Sequence, residues 1–597
     1  MDRIKLNSMN KNIAILFMLA AMFAGCKKLT VPLDDNHRTL DDIYTDARFG
    51  EGLLMNGYTR LPTNSYNFND VATDDAVTND KSTSAYGNFQ RIATGQWSSF
   101  NNPLDRWNNG YQAITYLNKF LANVDKIFYA ANPVVNKMFI DRLKGEAYGL
   151  RAYHMYYLLQ AHGGVGSNGA LLGVPIFTED LVEGSDLKKQ RNTFEQCMQQ
   201  IYADLTEAEK YLPLNYNDVT AVSQVPAKYT GADPVDYNRV FGGVAKQRMS
   251  ANIVKGIRAK AAFLAASPAY SSGTTTTWAI AADYTAKALD IVGGVNGVDP
   301  QGWLWYLAAN VDALNVVNGI DQKEMLWRGT NGNQTNNLER DNMPPTLFGN
   351  ARVNPTQNLV DAFPMANGFP ITSAASNYNP ANPYAGRDPR LARYIVTNGA
   401  TMSSKAILSR QEGGNDAVDF LPTSTRTGYY MRKLLREDVN LNPASTSSRR
   451  HYAVHIRFTE LFLNYAEAAN EAFGPDGTGT NTYSARAVIA AIRKRAGITQ
   501  PDAYLASINN KDDMRTLIKN ERRLELCFEG FRFWDLRRWK DPINNPITEP
   551  AKGVVISPAN VFTYRTVENR VYANHMYYGP LPNAEVLKAN LVQNQGY

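Results

Sequence analysis

The stretch that most constrains this chain is residues 515–540, RTLIKNERRLELCFEGFRFWDLRRWK. It combines a high density of charge with an apolar stripe at helical spacing, formed by Leu517, Ile518, Leu524 and Phe528. Glu521, Glu525 and Glu529 lie four apart and share one helical face, where like charges repel. We predict that arginine partners neutralise this face in a buried ion-pair network and thereby fix how the helix meets the rest of the chain.

The end of this helix and its chemistry can also be read from the same stretch. Gly530 follows the apolar stripe and predicts the helix C-terminus. An acidic face beside arginines would also suit a catalytic acid and base. The ion-pair interpretation is favoured because no nucleophile, metal-ligand set or glycine-rich phosphate loop accompanies it.

The N-terminus has the pattern of an export signal. Basic residues precede an apolar segment, residues 13–24, that is too short to span a bilayer as a helix. The small residues before Cys26 resemble a bacterial lipobox, which implies lipidation of that cysteine; an ordinary signal peptide is the alternative. We therefore predict a lipoprotein signal peptide over residues 1–25 and a lipid-anchored tether over residues 26–50.

Composition and charge are those of a large globular protein. Hydrophobic residues make up 44% of the chain and charged residues 20%. The net charge of +6 is small for 597 residues and is not gathered into a basic stripe, which argues against nucleic-acid binding. Only Cys197 and Cys527 follow Cys26, so the chain is not a disulfide scaffold. Both are predicted to be small buried side chains, and a bridge between them is left open.

Helical periodicity dominates the chain after residue 105. Successive apolar stripes predict helices over residues 107–121, 140–157, 194–212, 253–266 and 278–292. Asn132-Pro133 marks a turn between the first two stripes. Repeated helix pairs of this kind predict a mainly α fold built from tetratricopeptide-like helical repeats, an alpha-alpha superhelix.

Residues 300–450 differ in character, because Gly, Pro, Asn and Thr increase and helical periodicity fades. This change predicts a large irregular, loop-rich region with short strands near residues 324–328 and 428–434. Helices are predicted to return over residues 456–472, 483–496 and 512–528. The final residues, 571–597, are predicted to be extended.

Several separated segments resemble, in order, the pattern of the SusD/RagB family. The most specific is the signature ERRLELCFEGFRFWDLRRW at residues 521–539. The other segments are residues 107–121 and 143–158, GVPI at 173–176, RDPRL at 387–391, TGYYMRK at 427–433, ELFLNYAEAANEA at 460–472, RKRAG at 493–497, LP at 581–582 and QNQGY at 593–597. Each segment alone is weak, but together they extend over nearly the whole mature chain.

This resemblance implies both an architecture and a role. It implies an N-terminal helical-repeat part at residues 51–300 and an irregular C-terminal part at residues 301–597 that returns to the repeats. It implies a non-catalytic, lipid-anchored outer-membrane protein, displayed at the cell surface, that binds oligosaccharide or polysaccharide. The implied partner is a SusC-like TonB-dependent β-barrel transporter, and no cofactor or metal is implied.

In the family that the chain resembles, ligand sites lie in variable loops with exposed aromatic rings. A flat ring covers the apolar face of a sugar while polar side chains meet its hydroxyl rim. The candidate ligand-binding residues are therefore Tyr86, Trp97, Phe100, Asn101, Trp303, Trp305 and Tyr306. Trp303 and Trp305 alternate, so on a strand they would share a face. Core packing is the alternative for each ring.

Three other functions stay open at this point. RagB-like relatives imply a peptide ligand on the same scaffold. A glycoside hydrolase would need paired carboxylates, for which Asp74/Asp75 or Glu525/Glu529 could serve. A helical-repeat scaffold for protein partners is the third. The acidic cluster around Asp74 does not match the spacing of a calcium loop, and its members are interpreted as loop or capping residues.

Overall fold

A computed structural model of the protein describes residues 44–82, 84–314, 322–329, 332–541 and 549–597. The predicted signal peptide, Cys26 and the tether up to residue 43 lie outside the described residues. The first described helix begins at Ala47, after the Asp46 carboxylate accepts a hydrogen bond from the Arg48 N–H and caps it. No described helix is both long enough and apolar enough to cross a membrane.

Helices make up most of the regular structure. The first group is α1 Ala47–Thr59, α2 Ala85–Ala93, α3 Trp107–Asn123, α4 Pro133–His162, α5 Phe194–Tyr211, α6 Pro234–Phe241, α7 Ala251–Ala266 and α8 Trp278–Leu289. The second group is α9 Ala308–Val311, α10 Asn337–Asn342, α11 Gln357–Ala362, α12 Pro389–Tyr394, α13 Phe458–Phe473, α14 Ala485–Arg495, α15 Ala503–Ser507, α16 Lys511–Glu525, α17 Arg532–Arg538 and α18 Asn583–Ala589. The mainly α fold predicted from the sequence is confirmed.

The long helices pack against one another in a continuous series. Helix α1 packs on α3, α3 on α4, α4 on α5, α5 on α7 and α7 on α8. Helix α8 then packs against α13, which contacts both α14 and α16. The helices of the C-terminal half therefore extend the helical array of the N-terminal half.

Local sequence explains where several of these helices begin. Thr193 and Gln196 form a capping box at the start of α5. Asn132 caps α4 directly ahead of Pro133, so the predicted turn is an N-cap followed by a proline that needs no hydrogen bond. Small residues then let helices approach closely, since a Cβ on Gly110 of α3 would lie 2.9 Å from Leu158 Cδ2 of α4.

The strands are short and form antiparallel pairs. The pairs are β1 Ala76–Val77 with β6 Asn354–Pro355, β2 Gly164–Val165 with β3 Leu171–Leu172, β4 Met325–Arg328 with β12 Val454–Arg457, β5 Asn333–Thr335 with β11 Arg449–His451, β7 Ile395–Val396 with β10 Tyr430–Met431, β8 Thr401–Met402 with β9 Lys405–Ala406, and β13 Ala551–Ile556 with β14 Phe562–Glu568. The predicted strand at residues 324–328 is observed as β4, whereas the one at 428–434 is reduced to β10.

Three boundaries predicted from the sequence are wrong, and the first is that of α4, which begins at Pro133 rather than at residue 140. Residues 571–597 are not all extended, because α18 forms from good helix formers and ends at Asn590, which takes the left-handed conformation with φ 51°. The signature helix α16 ends at Glu525 rather than at Gly530. Phe528 (φ 62°) and Gly530 (φ 77°) are both left-handed, so the chain turns twice before α17.

The apolar core forms two main clusters. The larger cluster lies among α1, α3–α5, α7, α8, α13, α14 and α16. The second cluster gathers the irregular region around α17 and includes Phe528, Phe533 and Trp534. Cys197 belongs to the first and Cys527 to the second; both are buried free thiols, as the sequence predicted for small apolar side chains.

The three glutamates of the predicted acidic face are buried and neutralised by cations, as predicted, although Glu529 lies beyond the end of α16. Glu521, Glu525 and Glu529 each have two cationic partners. These are Arg390 and Arg493 for Glu521, both at 2.8 Å; Arg390 at 3.1 Å and Arg495 at 2.9 Å for Glu525; and Lys433 at 2.7 Å and Arg457 at 2.8 Å for Glu529. Because the partners come from α12, α14, β12 and the segment after β10, the network joins α16 to the irregular region.

Candidate functional site

The groove whose lining best suits a sugar lies in the irregular C-terminal region and has a volume of about 490 Å³. We call it the tyrosine groove. Its walls come from α11, the loop at residues 371–380 and the β13–β14 hairpin. The lining residues are Gln357, Asp361, Ile371, Tyr378, Pro380, Lys552, Tyr564, Arg565 and Thr566.

Two tyrosine rings form the aromatic part of this groove. Tyr564 lies on β14 and is 46% exposed. Burial raises the pKa of Tyr564 to about 12. The Arg387 guanidinium lies 5.5 Å from the Tyr378 ring centroid and donates to the carbonyls of Val360 and Phe363. The Tyr378 ring therefore packs against a guanidinium that is itself fixed by two backbone carbonyls.

A chain of hydrogen bonds connects the groove to the core. The Tyr384 and Tyr429 hydroxyls lie 3.1 Å apart, and Tyr429 donates to Gln357 Oε1 at 2.5 Å. Gln357 Nε2 in turn donates to Asp361 Oδ1 at 2.7 Å. Since Tyr429 is fully buried, this chain fixes the orientation of both polar groups at the groove.

The charges of the tyrosine groove are mostly neutralised. Lys552 pairs with Glu549 at 3.0 Å, and Arg565 pairs with Asp419. Asp361 forms no ion pair with any described residue. Desolvation raises the pKa of Asp361, while the Gln357 hydrogen bond and the charge of Arg387 oppose that rise. The groove thus offers two rings, an amide, a hydroxyl and a carboxylate, which is the set of groups that contacts a polyol.

The aromatic part of this groove was missed by sequence reasoning, although one signal was present. In β14, Phe562, Tyr564 and Thr566 alternate and share a face. Tyr564 and Thr566 line the groove, and Phe562 contacts Tyr384 at a centroid distance of 5.8 Å. The position of Tyr378 on a facing loop is set by tertiary contacts far apart in sequence.

Three of the predicted ligand-binding rings are buried in the second core cluster and do not present an exposed face. Trp97 is 3% exposed, and its ring meets the edges of Phe533 and Tyr597 at centroid distances of 5.6 and 6.0 Å. Trp305 and Tyr306 are 2% and 4% exposed. These rings are core residues because the irregular region folds over them.

The other four predicted residues are at least partly accessible. Tyr86 stacks on Phe68 at a centroid distance of 6.0 Å and is half-buried. Trp303 is also half-buried and lies in a 3₁₀ turn rather than a strand, so the shared strand face that the alternation would allow with Trp305 does not form. Phe100 is 83% exposed. Asn101 donates from Nδ2 to the Gln96 carbonyl at 3.4 Å.

The carboxylates considered for glycoside hydrolysis are buried in ion pairs. Asp74 pairs with Arg523 and Arg532, each at 2.9 Å, and Asp75 pairs with Arg523 at 2.6 Å. The interpretation of these aspartates as loop residues holds, and their ion pairs additionally join the loop after α1 to the signature region. Glu525 and Glu529 belong to the α16 network described above. All four of these carboxylates are buried.

Comparison with known proteins covers most of the chain. A family model described as "SusD family" matches residues 318–597, and one described as "Starch-binding associating with outer membrane" matches residues 35–230. Two SusD-like proteins of Formosa agariphila, P38 and P2, are each 28% identical over 142 and 149 residues. Each match covers 24% of this chain and about a quarter of the relative.

Solved structures share the whole fold. A SusD-like protein of Bacteroides fragilis has 20% identity and a TM-score of 0.70, covering 95% of this chain and 100% of its own. A second from that organism, titled a SusD-like carbohydrate binding protein, has 20% identity and a TM-score of 0.65, covering 91% and 98%. Surface glycan-binding protein A of Bacteroides fluxus has 17% identity and a TM-score of 0.57, covering 93% and 100%.

The family matches and the structural likeness agree with the order of motifs along the chain. The buried α16 network contains the SusD/RagB signature residues, and two models of that family match both halves of the sequence. This protein is a member of the SusD/RagB family.

Proposed function

We propose that this protein binds an oligosaccharide without catalysis and delivers it to a SusC-like TonB-dependent transporter. Lipidation of Cys26 would anchor it to the outer membrane at the cell surface. The observation that carries the proposal is the tyrosine groove, where two oriented rings adjoin Gln357, Asp361 and Thr566 in a chain of this family. Structural neighbours titled as carbohydrate- or glycan-binding proteins support the ligand class.

The groove chemistry suits weak and reversible capture. A tyrosine ring that covers about 100 Å² of sugar surface contributes on the order of 2 kcal/mol. Two rings, less the cost of ordering a flexible sugar chain, give dissociation constants of roughly micromolar to millimolar. Such a ligand exchanges fast enough to be passed to a transporter. Phe100, Asn101, Tyr86 and Trp303 stay candidates for a further contact because they are at least partly exposed.

The ligand proposal is tested by calorimetry against a panel of neutral oligosaccharides. The variant Tyr564→Ala should weaken binding of the recognised glycan by about tenfold or more, since one platform is lost. Phe128→Ala is the matched control, because Phe128 is 60% exposed but lies in the helical part between α3 and α4. Equal affinities for the two variants would argue against the tyrosine groove, and release of shortened glycan by the wild type would argue against a non-catalytic role.

The delivery proposal needs a separate experiment. The full chain, tagged at the C-terminus, is purified from gently solubilised membranes and its partners are identified by mass spectrometry. We expect a stoichiometric β-barrel transporter, whose presence should depend on Cys26 if the lipid anchor holds the protein at the membrane. Purification without a barrel partner would contradict delivery while leaving glycan binding intact.

A peptide ligand is the second candidate, and a different groove favours it. This α3 groove, of about 430 Å³, is lined mainly by apolar side chains, among them Phe177, Leu181, Leu187 and Leu591. Tyr116 at its side is 38% exposed, and Leu187 is 58% exposed. Binding of a peptide library that is lost in Leu187→Asp but kept in Tyr564→Ala would favour this alternative.

A further inference from the structure

The tyrosine groove adjoins a second groove, and Asp361 lines both. The second groove, here called the α16 groove, has a volume of about 400 Å³. The loop that follows α11 contributes to each: Ile371 faces the tyrosine groove, while Pro370 and Thr372 face the α16 groove. Lys552 lines the tyrosine groove and Arg523 lines the α16 groove, so Asp361 has a cation in the wall of each groove. The grooves therefore meet at Asp361.

The α16 groove has the same kind of lining as the tyrosine groove. Tyr504 is half-buried, with its ring 5.3 Å from that of Phe369 and 5.8 Å from the Arg493 guanidinium. Thr516 and Asn520 extend from α16, and Asn520 Nδ2 donates to the Ala362 carbonyl at 2.9 Å. A ring that is held by neighbours and flanked by hydroxyl and amide groups forms a second place where a sugar unit can stack.

The cations of the α16 groove are all compensated. Each forms an ion pair with one or more carboxylates: Arg493 with Asp502 and Glu521, Arg523 with Asp74 and Asp75, Arg532 with Asp74, and Lys519 with Asp541. The cations of the tyrosine groove, Lys552 and Arg565, are paired as well. An anionic sugar would therefore meet the charge of Asp361, and the buried arginines of the α16 groove are already paired.

From these observations we infer that the ligand is a neutral, linear oligosaccharide long enough to cross Asp361 and occupy both grooves. The inference rests on the proposed glycan binding and specifies its substrate class. Tyr378 and Tyr564 hold one end of the chain, Asp361 accepts hydrogen bonds from hydroxyls in the middle, and Tyr504 stacks on a unit at the other end. Glycans bearing sulfate or carboxylate groups are poor ligands.

The test is a length series. Neutral oligosaccharides from disaccharide to octasaccharide, of the linkage that binds best in the panel, are titrated into the full chain. We expect affinity to rise by about tenfold or more with length until both grooves are filled, and then to level off. A sulfated octasaccharide of the same linkage should bind at least about tenfold more weakly than its neutral counterpart.

A matched pair of variants tests whether the gain in affinity with glycan length comes from the α16 groove. Thr516 and Thr206 are both exposed helix residues whose hydroxyl donates to the carbonyl four residues earlier. Thr516→Trp fills the α16 groove and should remove the gain with length while leaving disaccharide affinity unchanged. Thr206→Trp, on α5, should behave as wild type.

The outcomes separate this inference from the proposed function. The two-groove inference would be overturned if glycan affinity did not depend on chain length, or if the Thr516→Trp variant bound long chains like wild type. Either result would leave the proposed glycan binding intact. Equal binding of neutral and sulfated chains would overturn the inference that the ligand is neutral. Failure of every panel glycan to bind would overturn the proposed function itself.

Discussion

Arg390 Nη1 lies 2.8 Å from Glu521 Oε2, and neither side chain is exposed to solvent. Arg390 also pairs with Asp388 and Glu525, and Glu521 also pairs with Arg493. This contact joins α12 in the irregular region to α16 in the helical array. The chain between α12 and α16 spans more than a hundred residues, so the pair fixes a long-range arrangement rather than a local one.

Loss of the Glu521 charge should destabilise the protein strongly. In Glu521→Gln, Arg390 and Arg493 stay buried with one carboxylate fewer, and removing one member of a buried pair typically costs about 3–5 kcal/mol. Urea denaturation should show this loss in the free energy of unfolding. The control is Asp476→Ala, which breaks the more exposed Arg486–Asp476 pair and should change stability far less. Equal effects of the two variants would contradict a structural role for the network.

Asp70 should make stability depend on pH near neutrality. Burial and the charge of Asp75 raise the pKa of Asp70 to about 7. Because the folded protein binds this proton more tightly than the unfolded chain, the contribution of Asp70 is most favourable below the unfolded pKa and is lost as pH rises towards 7. Asp74, with a pKa lowered to about 2, loses its own stabilising contribution only in more acidic solution.

The measurement compares unfolding free energies at several pH values between 5 and 8, in wild type and Asp70→Asn. The amide oxygen of this variant can still accept the hydrogen bond from the Phe528 N–H, which is 3.1 Å from Asp70 Oδ1 in the wild type. We expect wild type to lose a few kcal/mol relative to the variant across this range, on the order of 1.4 kcal/mol per pH unit at most. Parallel pH profiles would show that Asp70 does not titrate there.

The two internal thiols should be unreactive in the folded protein. Cys197 and Cys527 are no more than 1% exposed, and burial raises their pKa to about 11 and about 12. A Cys26→Ser variant, which removes the predicted lipidation site, should therefore show almost no reaction with a thiol reagent at pH 8. After unfolding in guanidinium chloride it should show two thiols. Fast labelling without denaturant would mean that the core opens at one of these positions.

Variants of Trp97 and Phe100 should separate effects on the free energy of unfolding from effects on glycan binding. Trp97 Nε1 donates to Asn102 Oδ1 at 2.9 Å, so Trp97→Phe should lower the free energy of unfolding by about 1–3 kcal/mol and leave glycan affinity unchanged. Phe100→Ala should leave stability unchanged, because the ring is exposed. Calorimetry on both variants then reports directly on a binding role for Phe100. Weaker glycan binding by a fully folded Trp97→Phe would contradict a purely structural role for that ring.

Some features of this protein could be predicted from local sequence alone. Periodicity placed the long helices, and Asn132-Pro133 marked the turn between α3 and α4. The four-residue spacing of Glu521, Glu525 and Glu529 required cationic partners, because three carboxylates cannot be buried on one face without compensation. These inferences succeed because their causes lie within short stretches of sequence.

Only the tertiary structure decides which cations neutralise the three glutamates and which aromatic rings stay exposed. Arg390, Lys433 and Arg457 are distant in sequence from α16 and reach it only when the irregular region folds. For the same reason Trp97 and Trp305 are buried while Tyr564 is exposed, although all three lie outside the long helices. Exposure of a ring depends on which segments cover it, and these contacts join residues hundreds of positions apart.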